Sequence, residues 1–127
     1  MTFSLSAKSQ TKLYLVHPDM QKVVEAAIKV STIEFIVTEG LRSLARQEEL
    51  LKARASTTMN SRHLTGHAVD VAAIVAGKAD WHPNLYHYIA DAMLAEAAKL
   101  HVPIVWGGSW RTFADLCHFE LSRKFYP

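Results

Sequence analysis

The chain has 127 residues, 50% of them hydrophobic, and a formal net charge of +2 with histidine neutral. That length bounds it to one domain, residues 1–127, and that composition can fill a core, which excludes a disordered chain. The charge excess is small and no basic run is longer than Arg123-Lys124, so nucleic-acid binding is not expected; the single cysteine excludes an intrachain disulfide. No stretch approaches the ~18 apolar residues of a membrane span, and Met1–Lys8 carries no charged segment followed by an apolar run. Neither membrane insertion nor a secretory leader is expected, and the chain is expected to start in the cytosol.

In chain order, His17-Pro18 opens the first predicted helix. Proline suits its first turn, Asp19 suits its positive end, and Met20, Val23, Val24, Ala27 and Ile28 fall on one face. Thr32 to Thr38 is β-branched and aromatic and predicts a strand ending at Gly40. Ser43 is placed to cap a helix from Leu44 to about Arg54, with Glu48 and Glu49 ahead of Lys52. Ala55 to Ser61 is small and polar and reads as a loop, and Ala68 to Val75 reads as a buried strand closed by Gly77. Asp80-Trp81-His82-Pro83 leads into the longest helix, Asn84 to about Leu100, with Leu85, Ile89, Ala92, Met93, Leu94 and Ala97 at helical spacing. Val102 to Trp106 predicts a short strand before Gly107-Gly108, and Cys117 to Leu121 the last one. Helices and strands do not alternate strictly. The expected class is α+β, a small, mostly antiparallel sheet flanked by helices, with no repeat and no linker to a second domain.

The chemistry concentrates in two segments. Ser61 to Asp70 reads S-x-H-x-x-G-x-A-x-D, and Asp115-Leu-Cys-His118-Phe-Glu120-Leu121 lies near the end of the sequence. His63, Asp70 and His118 supply two imidazoles and a carboxylate for one metal, with a spare carboxylate for proton chemistry. That is the composition of a catalytic zinc site, three N/O ligands and an open fourth position for water. Gly66 permits a tight turn between His63 and Asp70. An aspartate ligand disfavours a closed structural zinc site, which is built from Cys and His. On a strand, His118 and Glu120 share a face while Phe119 and Leu121 point to the core. The same alternation turns His67 away from Asp70, and Cys117 away from His118 as a buried small hydrophobe rather than a ligand or nucleophile. His17, His82, His87 and His101 fall at helix ends or on a helix surface.

These residues resemble the D-Ala-D-Ala carboxypeptidase and dipeptidase family of zinc peptidases, and within it the phage endolysins that cleave the L-Ala-D-Glu bond of peptidoglycan. The resemblance runs from Glu39-Gly-Leu-Arg42-Ser43 through Trp106-Gly-Gly-Ser-Trp110 to His118-Phe-Glu120-Leu121. It implies the fold of the D-Ala-D-Ala zinc peptidases and the Hedgehog signalling domain, and one Zn2+ per chain on His63, Asp70 and His118. Asp115, three residues before the last histidine ligand, takes the place of the general base, where the D-Ala-D-Ala branch has glutamate. Arg42 takes the place of an arginine that binds the developing oxyanion or a substrate carbonyl. Glu120 is expected to orient a ligand imidazole, and Ser61 and Gln47 to bind substrate or order the site. The sequence departs from its relatives at Cys117, often proline there, and at Ser109, often aspartate.

The activity so implied is a zinc-dependent endopeptidase of the peptidoglycan stem peptide, a monomeric endolysin that leaves the host cytoplasm through a holin-opened membrane. Two other readings share the residues. A D-Ala-D-Ala carboxypeptidase or dipeptidase would use the same site, although Asp115 and the missing leader weigh against a carboxypeptidase. A non-catalytic zinc-stabilised binding domain would need neither the base nor the open coordination position. An endopeptidase has to admit glycan-linked peptide, so its cleft is expected to be open at both ends.

Overall fold

Among the described residues, all four α-helices begin at a residue whose side chain accepts a backbone N–H of the first turn, and this punctuates the chain. Ser6 caps α1 (Ala7–Leu13), His17 caps α2 (Pro18–Val30), Ser43 caps α3 (Leu44–Lys52) and His82 caps α4 (Pro83–Leu100). The two histidine caps use Nδ1 and each precedes a proline at the first helical position, where a missing N–H costs nothing. The computed structural model describes residues 2–55, 61–112 and 114–127. Most of the expected loop from Ala55 to Ser61 therefore lies outside the described residues.

Among the described residues five strands form one sheet: β1 (Glu34–Glu39), β2 (Ala68–Val75), β3 (Lys78–Asp80), β4 (Ile104–Trp106) and β5 (His118–Leu121). Every pairing is antiparallel, in the order β1-β2-β5-β4, with β3 folded back on the end of β2. The β2–β3 hairpin turns on Ala76 and Gly77, at φ 52° and 78°, the two consecutive positive values of a tight primed turn. A bulge between Val37 and Glu39 shifts the register at the end of β1. Beyond it Glu39 pairs with Asp70, and Asp70 pairs with His118. Directly paired residues share a face, so these three stand in a row across β1, β2 and β5.

The opposite face is the core. Val69, Val71, Phe119 and Leu121 alternate with the site residues and pack with Met20, Val23, Val24 and Ala27 of α2 and Ile89 and Met93 of α4. Each such fully buried large apolar side chain stabilises the fold by about 1.5–3 kcal/mol before entropy is counted. No described helix is long and apolar enough to cross a membrane.

The α+β class and antiparallel sheet agree with the sequence reading, while several boundaries move. The first strand starts at Glu34 rather than Thr32, the strand before Gly107 starts at Ile104 because Pro103 precedes it, and the last starts at His118 rather than Cys117. Besides two short 3₁₀ turns, one helix and one strand depart from the sequence reading. α1 buries only Ser9 and Leu13, and β3 is three residues long and largely exposed. Neither leaves an apolar period to read.

Candidate active site

His63 stands on a 3₁₀ turn, Arg62–Thr65, rather than in an open loop. Ser61 starts the turn by accepting the His63 N–H at 3.2 Å, and Gly66 ends it at φ 73°, a left-handed conformation that favours glycine. The turn buries the His63 ring beneath β1 and β2. Its Nδ1 lies 2.8 Å from the carbonyl oxygen of Gly40, and its Nε2 lies 3.1 Å from Asp70 Oδ1. His118, from the neighbouring strand, places Nδ1 3.1 Å from the same oxygen and Nε2 2.9 Å from Glu120 Oε1.

Every ring nitrogen here faces an acceptor, a carbonyl or a carboxylate. With a cation between the rings and Asp70, Nδ1–H of His63 would donate to Gly40 and Nε2–H of His118 to Glu120, and the remaining nitrogen of each ring would turn its lone pair toward the ion beside Asp70 Oδ1. The three ligand atoms of His63, Asp70 and His118 lie within 4.8 Å of one another. Such an arrangement calls for a cation, and imidazoles whose far nitrogens are tied to acceptors are the usual form of metal-ligating histidine. A proton is the alternative occupant. Burial opposes it, yet the bonds to Asp70 and Glu120 push His118 up to about 9. Burial likewise works against the Asp70 anion, but His118 and His63 hold its carboxyl well below the usual range.

Arg42 backs this group. Its N–H donates to the His63 carbonyl at 2.9 Å. Its Nε and Nη2 donate to the two oxygens of Glu39 at 2.7 and 2.6 Å, and Nη1 donates to Gln47 at 2.6 Å and Ser61 at 3.4 Å. Nη2 also lies 3.7 Å from Asp70 Oδ2. The structure thus brings Arg42, Gln47 and Ser61 together, with every guanidinium nitrogen facing a partner. Burial opposes the charges here, but the fork with Arg42 lowers the Glu39 carboxyl and raises the guanidinium. Glu39 was not singled out from the sequence as a site residue. The available signal was an arginine three residues after it at a predicted strand end.

Asp115 is half-buried on the far side. Its N–H donates to the Gly107 carbonyl at 3.0 Å, and Trp106 Nε1 donates to the next carbonyl, that of Leu116, at 2.8 Å. Gly107 is required there, because a Cβ on it would lie 2.4 Å from the Asp115 carbonyl oxygen and 3.1 Å from His118 Cβ. Ser109 donates to the Trp106 carbonyl at 2.7 Å and closes the turn that carries Gly107. Cys117 differs from expectation. It precedes β5, so strand alternation does not apply, and its thiol donates to Asp115 Oδ1 at 3.2 Å. Burial, Asp70 and Asp115 all push that thiol up, so it is a proton donor and no nucleophile. His67 bonds Thr65 and lies outside the cluster, while Trp110, unmentioned among the expected site residues, sets its ring 5.2 Å from that of His118.

Around these groups opens a hollow of about 710 Å³, whose lining includes Ser61, Arg54, Arg123 and Trp110. Two imidazoles and a carboxylate facing one point, beside a spare aspartate in a cleft, have the layout of a metal-dependent hydrolase. The family described as phage L-alanyl-D-glutamate peptidase matches residues 1–127, and the chain belongs to it. The L-alanyl-D-glutamate peptidase of Escherichia phage T5 is 28% identical over 99% of this chain and 94% of its own length. That of Listeria phage A118 is 32% identical over 74% of this chain, which matches 32% of its length. The crystal structure of the Serratia marcescens L-Ala D-Glu endopeptidase ChiX superposes with a TM-score of 0.91 at 45% identity, covering 95% of this chain and 91% of that one.

Proposed function

We propose that this chain is a zinc-dependent endopeptidase that hydrolyses the L-Ala–D-Glu bond of the peptidoglycan stem peptide. The observation that carries the reading is the convergence of His63 Nε2, Asp70 Oδ1 and His118 Nδ1, beside Asp115. Two imidazoles and one carboxylate suit a borderline-soft ion such as zinc better than calcium or magnesium, which prefer all-oxygen sets. Bound there, zinc supplies a Lewis acid for the scissile carbonyl and lowers the pKa of a bound water toward ~7.

The chain's own residues do the rest. Asp115 takes the proton of the attacking water and returns it to the leaving amine of D-Glu. Its carboxylate is aimed by the Cys117 thiol, its N–H is held by the Gly107 carbonyl, and the next carbonyl, that of Leu116, is held by Trp106. Glu120 keeps the His118 Nδ1 lone pair turned into the site, as the Gly40 carbonyl does for Nε2 of His63. Arg42 braces Asp70 and, through its backbone N–H, the His63 turn. To serve the oxyanion it has to exchange one of its present partners, Gln47 or Ser61, for substrate. The route to the wall, from host cytoplasm through a holin-opened membrane, belongs to the same proposal by likeness to phage endolysins.

Digestion of purified sacculi followed by mass spectrometry tests the bond. The expected products are peptides beginning with D-Glu and glycan that retains L-Ala, from protein holding about one zinc per chain. Free D-Ala as the main early product would favour a carboxypeptidase on the same site, and full activity of metal-free protein would remove zinc from the reading.

A further inference from the structure

A second, smaller hollow of about 260 Å³ adjoins the first and shares Ala114 and Asp115 with it. The rest of its lining is Trp81, Tyr86, Leu116 and Cys117. Trp81 is 60% exposed, on the connection between β3 and α4. One exposed tryptophan needs no special account by itself, but this one is held in place. Its ring lies parallel to that of Tyr86, at 3° and 5.9 Å between centroids. Tyr86 is buried, and its hydroxyl accepts the Ala73 N–H at 3.1 Å and donates to the Asp80 carbonyl at 3.0 Å. The indole therefore lies parallel to and offset from a fixed ring, largely exposed, at the edge of a hollow that also borders Asp115.

Charge sorts the two hollows. The main one carries its cations among carboxylates, with Arg54 and Arg123 in its lining and Arg123 Nε 3.6 Å from Glu120, whereas the described lining of the smaller one carries no cation and only the shared carboxylate of Asp115. A stem peptide is equally asymmetric about the L-Ala–D-Glu bond. Its carboxylates all lie on the D-Glu side. On the other side stand a single alanine, a lactyl bridge and an uncharged sugar ring. At about 3.5 Å per extended residue, that ring lies only about 7 Å from the scissile carbonyl. The electron-rich face of an indole attracts the polarised C–H groups of a pyranose face.

We propose that Trp81, stacked on Tyr86, is the platform for the muramyl sugar on the amino side of the scissile bond, with the carboxylate-bearing peptide running toward Arg54 and Arg123. This rests on the L-Ala–D-Glu reading. The test compares two soluble substrates, the free stem tetrapeptide and the same peptide carrying its N-acetylmuramyl group, by kcat/KM. The readout is the ratio of the two values. Trp81→Leu, which keeps apolar bulk without a ring, is expected to lower the muramyl-to-free ratio roughly 3- to 10-fold, and Trp81→Tyr to restore part of it. A ratio unchanged in Trp81→Leu, or lowered equally in Trp81→Tyr, would overturn the platform while leaving the peptidase reading intact. Failure of the unaltered protein to cut either substrate between L-Ala and D-Glu would remove both.

Discussion

Replacing Gly107 by alanine tests the placement of Asp115 without touching any group that does chemistry. The added Cβ would lie 2.4 Å from the Asp115 carbonyl oxygen, where ordinary contact begins at 3.4 Å, so the loop bearing the base has to retreat by about 1 Å. It cannot do so freely, because the Asp115 N–H is tied to the Gly107 carbonyl and the Leu116 carbonyl to Trp106. A misplacement of about 1 Å costs on the order of 10²-fold in turnover, close to 2.7 kcal/mol of barrier. Overpacking takes a further ~1–3 kcal/mol from stability. The same Cβ comes only to 3.1 Å of His118 Cβ, a milder clash, so metal content should fall much less than kcat. Steady-state hydrolysis of a soluble muropeptide, metal analysis and a thermal melt on one preparation separate the three effects. Folded Gly107→Ala protein with kcat within about twofold of the parent would refute the view that this loop aims the base.

Asp115→Asn keeps size but cannot take a proton, so bound zinc should persist while turnover drops by roughly 10²–10⁴-fold. If Glu120→Gln produces that separation and Asp115→Asn stays active, the two carboxylates have been given the wrong roles. Glu120→Gln is instead expected to weaken zinc binding about 10- to 100-fold, read by competition with a chromophoric chelator. In chelated protein, His118 is raised to about 9 in the fold, above its ordinary value. It therefore adds stability in full below pH ~6.5 and loses it as pH rises through about 9. Zinc must displace that proton, so zinc affinity should rise over the same interval; melts of chelated protein that do not fall from pH 6.5 to 9 would contradict the assignment.

What could be read from the sequence follows the reach of each physical rule. Ser43, Pro18 and Pro83 act on their own first turns, so three helices were legible from local signals. The two-residue period of β5 put His118 and Glu120 on one face and Phe119 and Leu121 on the other, as the hydrogen bonds and burial bear out. The failures arise where a role depends on distant pairing. Glu39 joins the site because the bulge in β1 brings it into register with Asp70. The Gly40 carbonyl that His63 Nδ1 faces is main chain and leaves no mark in residue type. Cys117 lies one residue before β5, where the two-residue period does not reach; its half-buried side chain packs against the core as a small hydrophobe does, while its thiol also bonds Asp115.

The two imidazoles are steadied by unlike acceptors, and this makes the site asymmetric toward change. The support behind His63 belongs to the peptide backbone of Gly40, whose own Cβ position is closed off by the Lys12 carbonyl at 2.6 Å. No substitution can alter that support without moving the chain. The support behind His118 is the side chain of Glu120, which a single substitution can remove or weaken. Electron donation to a metal held there would therefore be adjustable at Glu120 but not at Gly40. Anyone retuning the metal preference or working pH of this scaffold has position 120 as the dial and the His63 side as the fixed reference.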